Sequence, residues 1–241
     1  MTPLTRGLRW DVSRMWRSRA FEAVGGALYN AGIQHERLAR WFGRAVFGTD
    51  ASLIYQNLEV LRDLPHGAAV LDVPCGGGLA LRALQPGQQL RYVAADISPT
   101  MLERAERKAH ELGLSGIEFA EADIQALSFA DAEFDLCLCL NGLHCLPDPA
   151  AAMRELARCL KPGGQLVGDC AVRDANRRGS AAITVLRMAG VFGPGGTIDD
   201  LERWLLDAGL RPQSLSRSGA VAHFTAQRQN HDRDVSSARG Q

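Results

Sequence analysis

The chain has 241 residues, of which 46% are hydrophobic and 22% are charged, and its 27 basic side chains balance 27 acidic ones. This composition is typical of a globular protein, and the length allows one large domain or a core with an appendage. The zero formal charge argues against a general nucleic-acid binder, which needs a basic excess. Because the sequence contains no apolar run of membrane-spanning length and no apolar stretch typical of a secretion signal near its start, we expect a cytoplasmic protein without stable membrane insertion.

The two ends of the chain differ in character from its middle. Helical patterns near residues 10–24, 33–47 and 51–63 predict an N-terminal helical cap over residues 1–65. Residues 229–241 contain almost no apolar side chains, and this composition predicts a disordered tail.

The cysteines do not suggest a metal site or a disulfide framework. None of them forms the paired CxxC knuckles of a structural zinc site. We expect buried thiols in a reducing compartment and no bound metal, for the cysteines at positions 75, 137, 139, 145, 159 and 170.

Predicted strands and helices alternate through the middle of the chain. Short apolar and β-branched runs predict strands over residues 68–73, 90–96, 117–123, 134–140 and 164–172. A helix over 98–113 begins at a Ser-Pro pair and ends at a glycine, and another over 148–164 begins at Asp-Pro and ends at Pro-Gly-Gly. This alternation predicts an α/β protein with a doubly wound parallel sheet and helices on both faces.

The pattern changes toward the carboxyl terminus. The segment TIDDLERWLLDAGL, which begins at Thr197, predicts a capped amphipathic helix that ends at a glycine. Two weaker strands are predicted after it, over residues 212–217 and 220–227.

A glycine-rich loop follows the first predicted strand in the segment LDVPCGGGLA. Gly76, Gly77 and Gly78 allow a ligand to approach the backbone closely, and a helix expected directly after Gly78 would offer free N–H groups. The loop alone is weak evidence, because glycine-rich turns also serve as tight connections.

Three carboxylates, Asp72, Asp96 and Asp123, stand at the ends of the first three predicted strands. Because the carboxyl ends of parallel strands meet at one edge of the sheet, we expect these acids to face one crevice. Asp96 follows Gly76 by 20 residues, the spacing at which an acid binds the hydroxyl groups of a ribose. Asp123 is suited to accept a hydrogen bond from an adenine amino group.

Asp72 distinguishes between two classes of cofactor. A dinucleotide's pyrophosphate would pass close to this carboxylate, which would repel it but would attract an ammonium group and a nearby sulfonium. S-adenosyl-L-methionine carries an adenosine, an amino-acid end and a sulfonium, and it has no phosphate. The three acids therefore fit S-adenosyl-L-methionine better than NAD.

The segments VLDVPCGGG, YVAADISPTML, EADIQALSF and FDLCLCLNGLHCLPDPAAAMRELARCLKPGG resemble the successive motifs of class I S-adenosylmethionine-dependent methyltransferases. The resemblance covers about residues 66–228 and is greatest to the broad group that includes the ubiquinone/menaquinone-biosynthesis methyltransferases. It implies a Rossmann-like core of seven strands whose last strand is antiparallel. Residues 172–196 would then be a substrate-lid insertion in this core.

The resemblance also implies roles for individual residues. Asp72, Gly76 and Gly78 would hold the methionine part of the cofactor, and Asp96 would bind its ribose. Pro74 stands where the family commonly has a glycine, so the turn must not need a positive φ at that position. The whole set of cofactor-binding residues implied in this way is Tyr29, Asp72, Pro74, Cys75, Gly76, Gly78, Asp96, Ile97, Met101, Ala122, Asp123, Ile124, Leu140 and Asn141.

The expected reaction is an in-line methyl transfer to a small acceptor, since the cofactor itself carries the activated group. His144, after the fourth predicted strand, is the candidate catalytic residue, either as a general base or in a positioning role. Apolar residues in the expected roof of the pocket favour an apolar or aromatic acceptor, such as a quinone precursor, a lipid or a secondary metabolite. A non-catalytic binding partner with this fold and a nicotinamide-dependent oxidoreductase stay open as alternatives, as does the oligomeric state.

Overall fold

The computed structural model describes residue 41 and residues 43–50, 52–175 and 177–230. Tyr29, most of the predicted cap and nearly all of the predicted tail lie outside these residues. Within the described part of the cap, residues Gly43–Phe47 form a π-helical turn. Helix α1 (Ser52–Asn57) and a 3-10 helix (Leu58–Asp63) follow, in the third segment that the sequence predicts to be helical.

Seven strands of the described residues form one sheet, with the order β3-β2-β1-β4-β5-β7-β6. Strands β1 to β5 pair in parallel, whereas β7 is antiparallel to both of its neighbours. The predicted doubly wound, Rossmann-like sheet with an antiparallel last strand is therefore confirmed. The bounds of the strands are β1 Ala69–Asp72, β2 Arg91–Asp96, β3 Ile117–Glu121, β4 Phe134–Leu140, β5 Leu160–Ala171, β6 Leu210–Ser218 and β7 Val221–Arg228.

Four further helices connect these strands, and local capping explains where three of them begin. The Ser98 hydroxyl accepts a hydrogen bond from the Met101 amide, and the Asp148 carboxylate accepts one from Ala151. The Thr197 hydroxyl accepts a hydrogen bond from the Asp200 amide, and the Asp200 carboxylate accepts one from the Thr197 amide. The helices are α2 Pro99–Glu111, α3 Pro149–Cys159, α4 Arg177–Met188 and α5 Ile198–Asp207.

Two sequence predictions of helical structure are wrong in extent. Helix α3 ends at Cys159 rather than near residue 164, and β5 begins at Leu160, whose ψ of 140° is extended. Lys161 precedes a proline, which disfavours the helical region for that residue and ends the helix early. After the glycine-rich loop the chain forms only a 3-10 helix over Ala80–Ala83, because Pro86 leaves too few residues for a full α-helix.

The sheet carries a hydrophobic core on each face. On one face, buried strand residues such as Leu71 and Cys137 pack with Leu156 of α3 and Leu201 of α5. On the other face, Val70, Leu138 and Val167 pack with residues of α2 and of the 3-10 helix after α1. Among the helices of the described residues, none combines the length and apolar character needed to cross a bilayer. The strand order reverses at β1, so the crevice of this fold lies beyond the carboxyl ends of β1 and β4.

Candidate functional site

The loop after β1 is held between the two neighbouring strands. The backbone N–H of Val73 donates to the carbonyl of Leu138 (3.0 Å), and that of the buried Cys75 donates to Ala95 (2.9 Å). Left-handed backbone occurs at Gly76 (φ 52°) and Gly78 (φ 79°), and glycine adopts it without steric cost. The loop therefore needs glycine at these two positions and not at the position that Pro74 occupies.

Pro74 also contacts the loop that follows β4. A Cβ placed at Gly142 would overlap the proline ring, whose Cγ would lie 2.7 Å away, and it would lie 3.5 Å from the Cys139 sulfur. Gly142 is not among the site residues that the sequence predicts. In the structure its missing side chain allows the loops after β1 and β4 to pack together at the reversal point of the sheet.

Asp72 is a buried carboxylate at the carboxyl end of β1, with 1% of its surface exposed. Its Oδ2 atom accepts a hydrogen bond from the Tyr92 hydroxyl (2.9 Å), and its Oδ1 atom has no partner within the described part of the chain. Burial raises the pKa of Asp72 to about 7, and the nearby charge of Asp96 adds to this, although the hydrogen bond from Tyr92 opposes it. A cationic ligand group at Oδ1 would stabilise the ionised form of this carboxyl group.

Asp96 joins the glycine-rich loop to the start of α2. Its Oδ2 atom accepts a hydrogen bond from the Gly76 amide (2.9 Å), and its Oδ1 atom accepts one from the Ser98 amide (3.0 Å). These two contacts fix the buried carboxylate at the carboxyl edge of the sheet. Carboxylate oxygens accept hydrogen bonds, so a carboxylate fixed in this way is suited to bind the hydroxyl groups of a ligand.

The third strand-end acid lies at the same edge. The Ala122 amide donates to the backbone oxygen of Asp96 (3.0 Å), which joins the end of β3 to the end of β2. Asp123 follows and accepts hydrogen bonds from the Gln125 backbone (3.0 Å) and side chain (3.2 Å). Apolar side chains accompany these acids. The half-buried Ile97 directly follows Asp96, the buried Ile124 directly follows Asp123, and the buried Met101 lies in the first turn of α2.

The carboxyl end of β4 completes the edge. Leu140 is buried, and Asn141 has left-handed backbone with a φ of 52°. The Asn141 amide donates to the Oδ1 atom of Asp169 (3.0 Å) and to the backbone oxygen of the same residue (3.1 Å). Asp169 is a buried site residue that sequence reasoning missed, because no motif marks it.

His144 lies in the 3-10 helix Leu143–Cys145 and is buried. Its Nδ1 atom accepts a hydrogen bond from the Ala171 amide (3.1 Å), and its ring packs edge-on against Phe192 at 4.3 Å between centroids. Burial lowers the pKa of His144 to about 4, so the ring is neutral at neutral pH. Because Nδ1 accepts, the single proton of the neutral ring resides on Nε2, which makes His144 a hydrogen-bond donor. This geometry favours a positioning role over a general base.

Comparisons with known proteins agree with this fold and site. A family model described as a methyltransferase domain matches residues 71–168. A ubiquinone biosynthesis O-methyltransferase from Xanthomonas axonopodis pv. citri is 32% identical over 162 residues, which are 63% of this chain and 66% of that protein. A 27-O-demethylrifamycin SV methyltransferase from Amycolatopsis mediterranei is 29% identical over 168 residues, which are 66% of this chain and 59% of that protein. The chain thus spans less than two thirds of the length of either relative.

A solved structure extends the comparison to the fold. A SAM-dependent methyltransferase from Aquifex aeolicus superposes with a TM-score of 0.57 and 21% identity, covering 77% of this chain and 93% of that chain. The cofactor named in the description of that structure agrees with the S-adenosyl-L-methionine that the sequence predicts. Residues 71–168 of the chain therefore match a methyltransferase domain, as the resemblance of its sequence motifs to the class I S-adenosylmethionine-dependent methyltransferases implies.

Proposed function

We propose that the protein transfers a methyl group from S-adenosyl-L-methionine to a small, apolar or aromatic acceptor. The observation that carries the proposal is the buried Asp72, whose Oδ1 atom lacks a partner among the described residues at the carboxyl end of β1. The ammonium group at the amino-acid end of the cofactor suits this oxygen in both charge and hydrogen bonding. The residues present therefore fit this cofactor.

The same acids argue against a nicotinamide cofactor. Asp72 and Asp96 lie on both sides of the glycine-rich loop, and Asp96 already accepts the Gly76 amide. A dinucleotide needs such amides for its pyrophosphate, and the carboxylate of Asp72 would repel the negative charge. The oxidoreductase alternative is thus disfavoured by the charge of the site.

In this proposal the rest of the cofactor lies along the ends of β2, β3 and β4. Asp96, fixed by the Gly76 and Ser98 amides, would bind the ribose hydroxyls. The adenine would pack against apolar side chains, with Asp123 at its edge. The residues that would line this part are Ile97, Met101, Ala122 and Ile124, while Pro74, Cys75, Gly78, Leu140 and Asn141 would surround the methionine part.

The acceptor would bind beside the segment that the sequence predicts as a lid. Ile183 and Phe192 of this segment pack with Ala171, and the ring of Phe192 contacts His144. Such surroundings favour an apolar skeleton, and the names of the two relatives likewise indicate small-molecule acceptors. The cytoplasmic location expected from the sequence stays a prediction.

The cofactor supplies an activated methyl group, so the protein's task is to orient the acceptor and to exclude water. Phe192 shields His144, and the Gly193 amide donates to the backbone oxygen of His144 (2.9 Å), which ties the predicted lid to the loop after β4. His144 would then offer its Nε2 proton to the acceptor or to a neighbouring group. We assign it a positioning role.

Calorimetric titration with S-adenosylhomocysteine tests the proposal. We expect about micromolar binding by the wild type and a loss of about 10-fold or more in Asp96→Asn, because the substitution removes a charged hydrogen-bond acceptor. Asp135→Asn is the matched control, since Asp135 also accepts a backbone amide, from Ala69 (2.8 Å), but lies at the amino-terminal end of β4. Its affinity should equal that of the wild type.

Two results would contradict this function. Folded wild-type protein that does not bind S-adenosylhomocysteine would exclude the cofactor site, and tighter binding of NADH would favour the oxidoreductase. Binding without methyl transfer to any acceptor in a broad screen of phenols, alcohols and amines would favour the non-catalytic alternative.

A further inference from the structure

Two buried polar side chains face each other across β5 and β7. Asp169 and His223 are register partners in this antiparallel pair, with exposed fractions of 0% and 4%. Directly opposite residues of antiparallel strands project from the same face, with Cβ atoms about 4.5–5.5 Å apart. The two side chains therefore form one polar patch, defined here as the Asp169–His223 pair.

The pair has unused hydrogen-bonding capacity. Asp169 Oδ1 accepts the Asn141 amide, but Asp169 Oδ2 and both ring nitrogens of His223 lack a partner in the described ranges. Buried polar groups are normally hydrogen-bonded, because leaving them unpaired costs free energy. Two such groups side by side on one face indicate a position where a ligand's polar group binds.

The register of the sheet places the pair close to the proposed cofactor site. Asp72, Leu138 and Val167 form one row across β1, β4 and β5, on the face that α2 and the 3-10 helix after α1 cover. The next row toward the carboxyl edge contains Leu140 and the Asp169–His223 pair. The pair is thus one step beyond Asp72 on the same face and directly beside the loop that Asn141 begins.

Apolar side chains flank the pair along β5. Val167 precedes Asp169 by two residues on the same face and belongs to the cluster that contains Leu138. Ala171 follows by two residues and belongs to the cluster with Ile183 and Phe192 of the predicted lid. A ligand at this position would therefore meet two buried polar groups beside apolar side chains of β5.

The chemistry of the pair selects a kind of polar group. Burial lowers the pKa of His223 and raises that of Asp169 to about 7, so near neutral pH the imidazole is neutral and the carboxyl is partly ionised. A neutral imidazole offers one N–H donor, and the carboxylate oxygen is an acceptor. A hydroxyl group matches both, because it donates to the carboxylate while its oxygen accepts from the imidazole.

We propose that the Asp169–His223 pair recognises a hydroxyl group on the methyl acceptor, so that the acceptor is a phenol or an alcohol on an apolar skeleton. This inference rests on the proposed methyltransferase function and specifies its substrate class. Asp169 receives the hydroxyl hydrogen bond at Oδ2 while Oδ1 keeps the loop after β4 in place through Asn141.

Binding of three aromatic probes to protein saturated with S-adenosylhomocysteine tests the proposal. Naphthol can donate and accept a hydrogen bond, methoxynaphthalene can only accept, and naphthylamine mainly donates. We expect the wild type to bind naphthol about 10-fold or more tightly than either of the others, as measured by calorimetry. In Asp169→Asn the preference for naphthol over methoxynaphthalene should disappear, because the asparagine amide can present an N–H donor to the ether oxygen.

A second variant and a control make the result specific. His223→Phe keeps an aromatic ring of similar size and removes the N–H donor, so naphthol affinity should fall about 10-fold. Thr225→Val changes the neighbouring position on the same face of β7, which pairs with Val167 farther from the carboxyl edge, and should leave the preference unchanged.

The outcomes separate this inference from the proposed function. Wild-type protein that binds S-adenosylhomocysteine but shows no preference for naphthol would overturn the inference alone, and so would an undiminished preference in both variants. Tighter binding of naphthylamine would replace the hydroxyl with an amine. Failure to bind S-adenosylhomocysteine would overturn the function and the inference together.

Discussion

Three glycines with similar backbone conformation test how the loop after β1 is built. Gly76, Gly78 and Gly87 all have positive φ, at 52°, 79° and 83°. Alanine at each position would adopt a left-handed conformation that costs about 1–2 kcal/mol. The positions differ in what an added Cβ would contact, so the three Gly→Ala variants separate backbone strain from packing.

Gly78 is the crowded position. A Cβ there would lie 2.8 Å from Leu81 Cδ1 and 3.2 Å from Ala105 Cα, whereas a Cβ at Gly76 or Gly87 has no atom of the described residues within 4 Å. Overpacking adds about 1–3 kcal/mol, so Gly78→Ala should lose about 2–5 kcal/mol of unfolding free energy in total. At about 2–4 °C per kcal/mol for a chain of this size, the melting temperature should fall by about 4–20 °C.

Thermal unfolding and S-adenosylhomocysteine titration together check this reasoning. Gly76→Ala and Gly87→Ala should lose similar, smaller amounts of stability, because only backbone strain applies. Of these two variants, only Gly76→Ala should weaken the binding of S-adenosylhomocysteine, since Gly87 lies in a turn outside the proposed site. Equal destabilisation by Gly78→Ala and Gly87→Ala would refute the packing argument, and unchanged affinity in Gly76→Ala would refute the placement of the cofactor.

Two further predictions concern the same edge of the sheet. Gly142→Ala should lower the unfolding free energy by about 1–3 kcal/mol in urea denaturation, and adding Pro74→Gly should restore most of the loss, because the new methyl group overlaps the proline ring; simple addition of the two losses would contradict this contact. The affinity for S-adenosylhomocysteine should fall as the pH drops from about 8 to about 5, because the ammonium group binds ionised Asp72, whose pKa is raised to about 7 in the free protein. Asp72→Asn should bind more weakly and lose this part of the pH dependence, and a wild-type affinity that is constant over this range would argue against the contact.

Local sequence patterns predict most of the strands and helices of the described residues. Strand β4 (Phe134–Leu140) occurs with the predicted bounds, and α2 and α5 begin at the predicted caps Ser98 and Thr197. These features depend on interactions within a few residues, such as a hydroxyl group that accepts an amide three positions later. The Pro-Gly-Gly segment predicts an end of α3 that is too late, because Lys161 before Pro162 already disfavours the helical conformation and belongs to β5.

The convergence of Asp72 and Asp96 could also be predicted, because parallel strands bring their carboxyl ends to one edge wherever they pair. Spacing alone does not show the protonation of the site. The raised pKa of Asp72 depends on its burial, which the hydrogen bond from the Tyr92 hydroxyl only partly offsets, and the donor role of His144 depends on the Ala171 amide. Both follow from contacts between segments that are distant in sequence.

The chain's own local chemistry thus specifies which segments become strands and helices, where the capped helices begin, and which acids stand at the carboxyl edge of the sheet. Long-range pairing decides the rest. Only the antiparallel alignment of β7 with β5 places His223 opposite Asp169, and only the packing of two loops explains why Gly142 must lack a side chain beside Pro74. Neither contact leaves a periodic or short-range pattern in the sequence. The first depends on the register between two strands and the second on the approach of two loops, and both are established only when the chain folds.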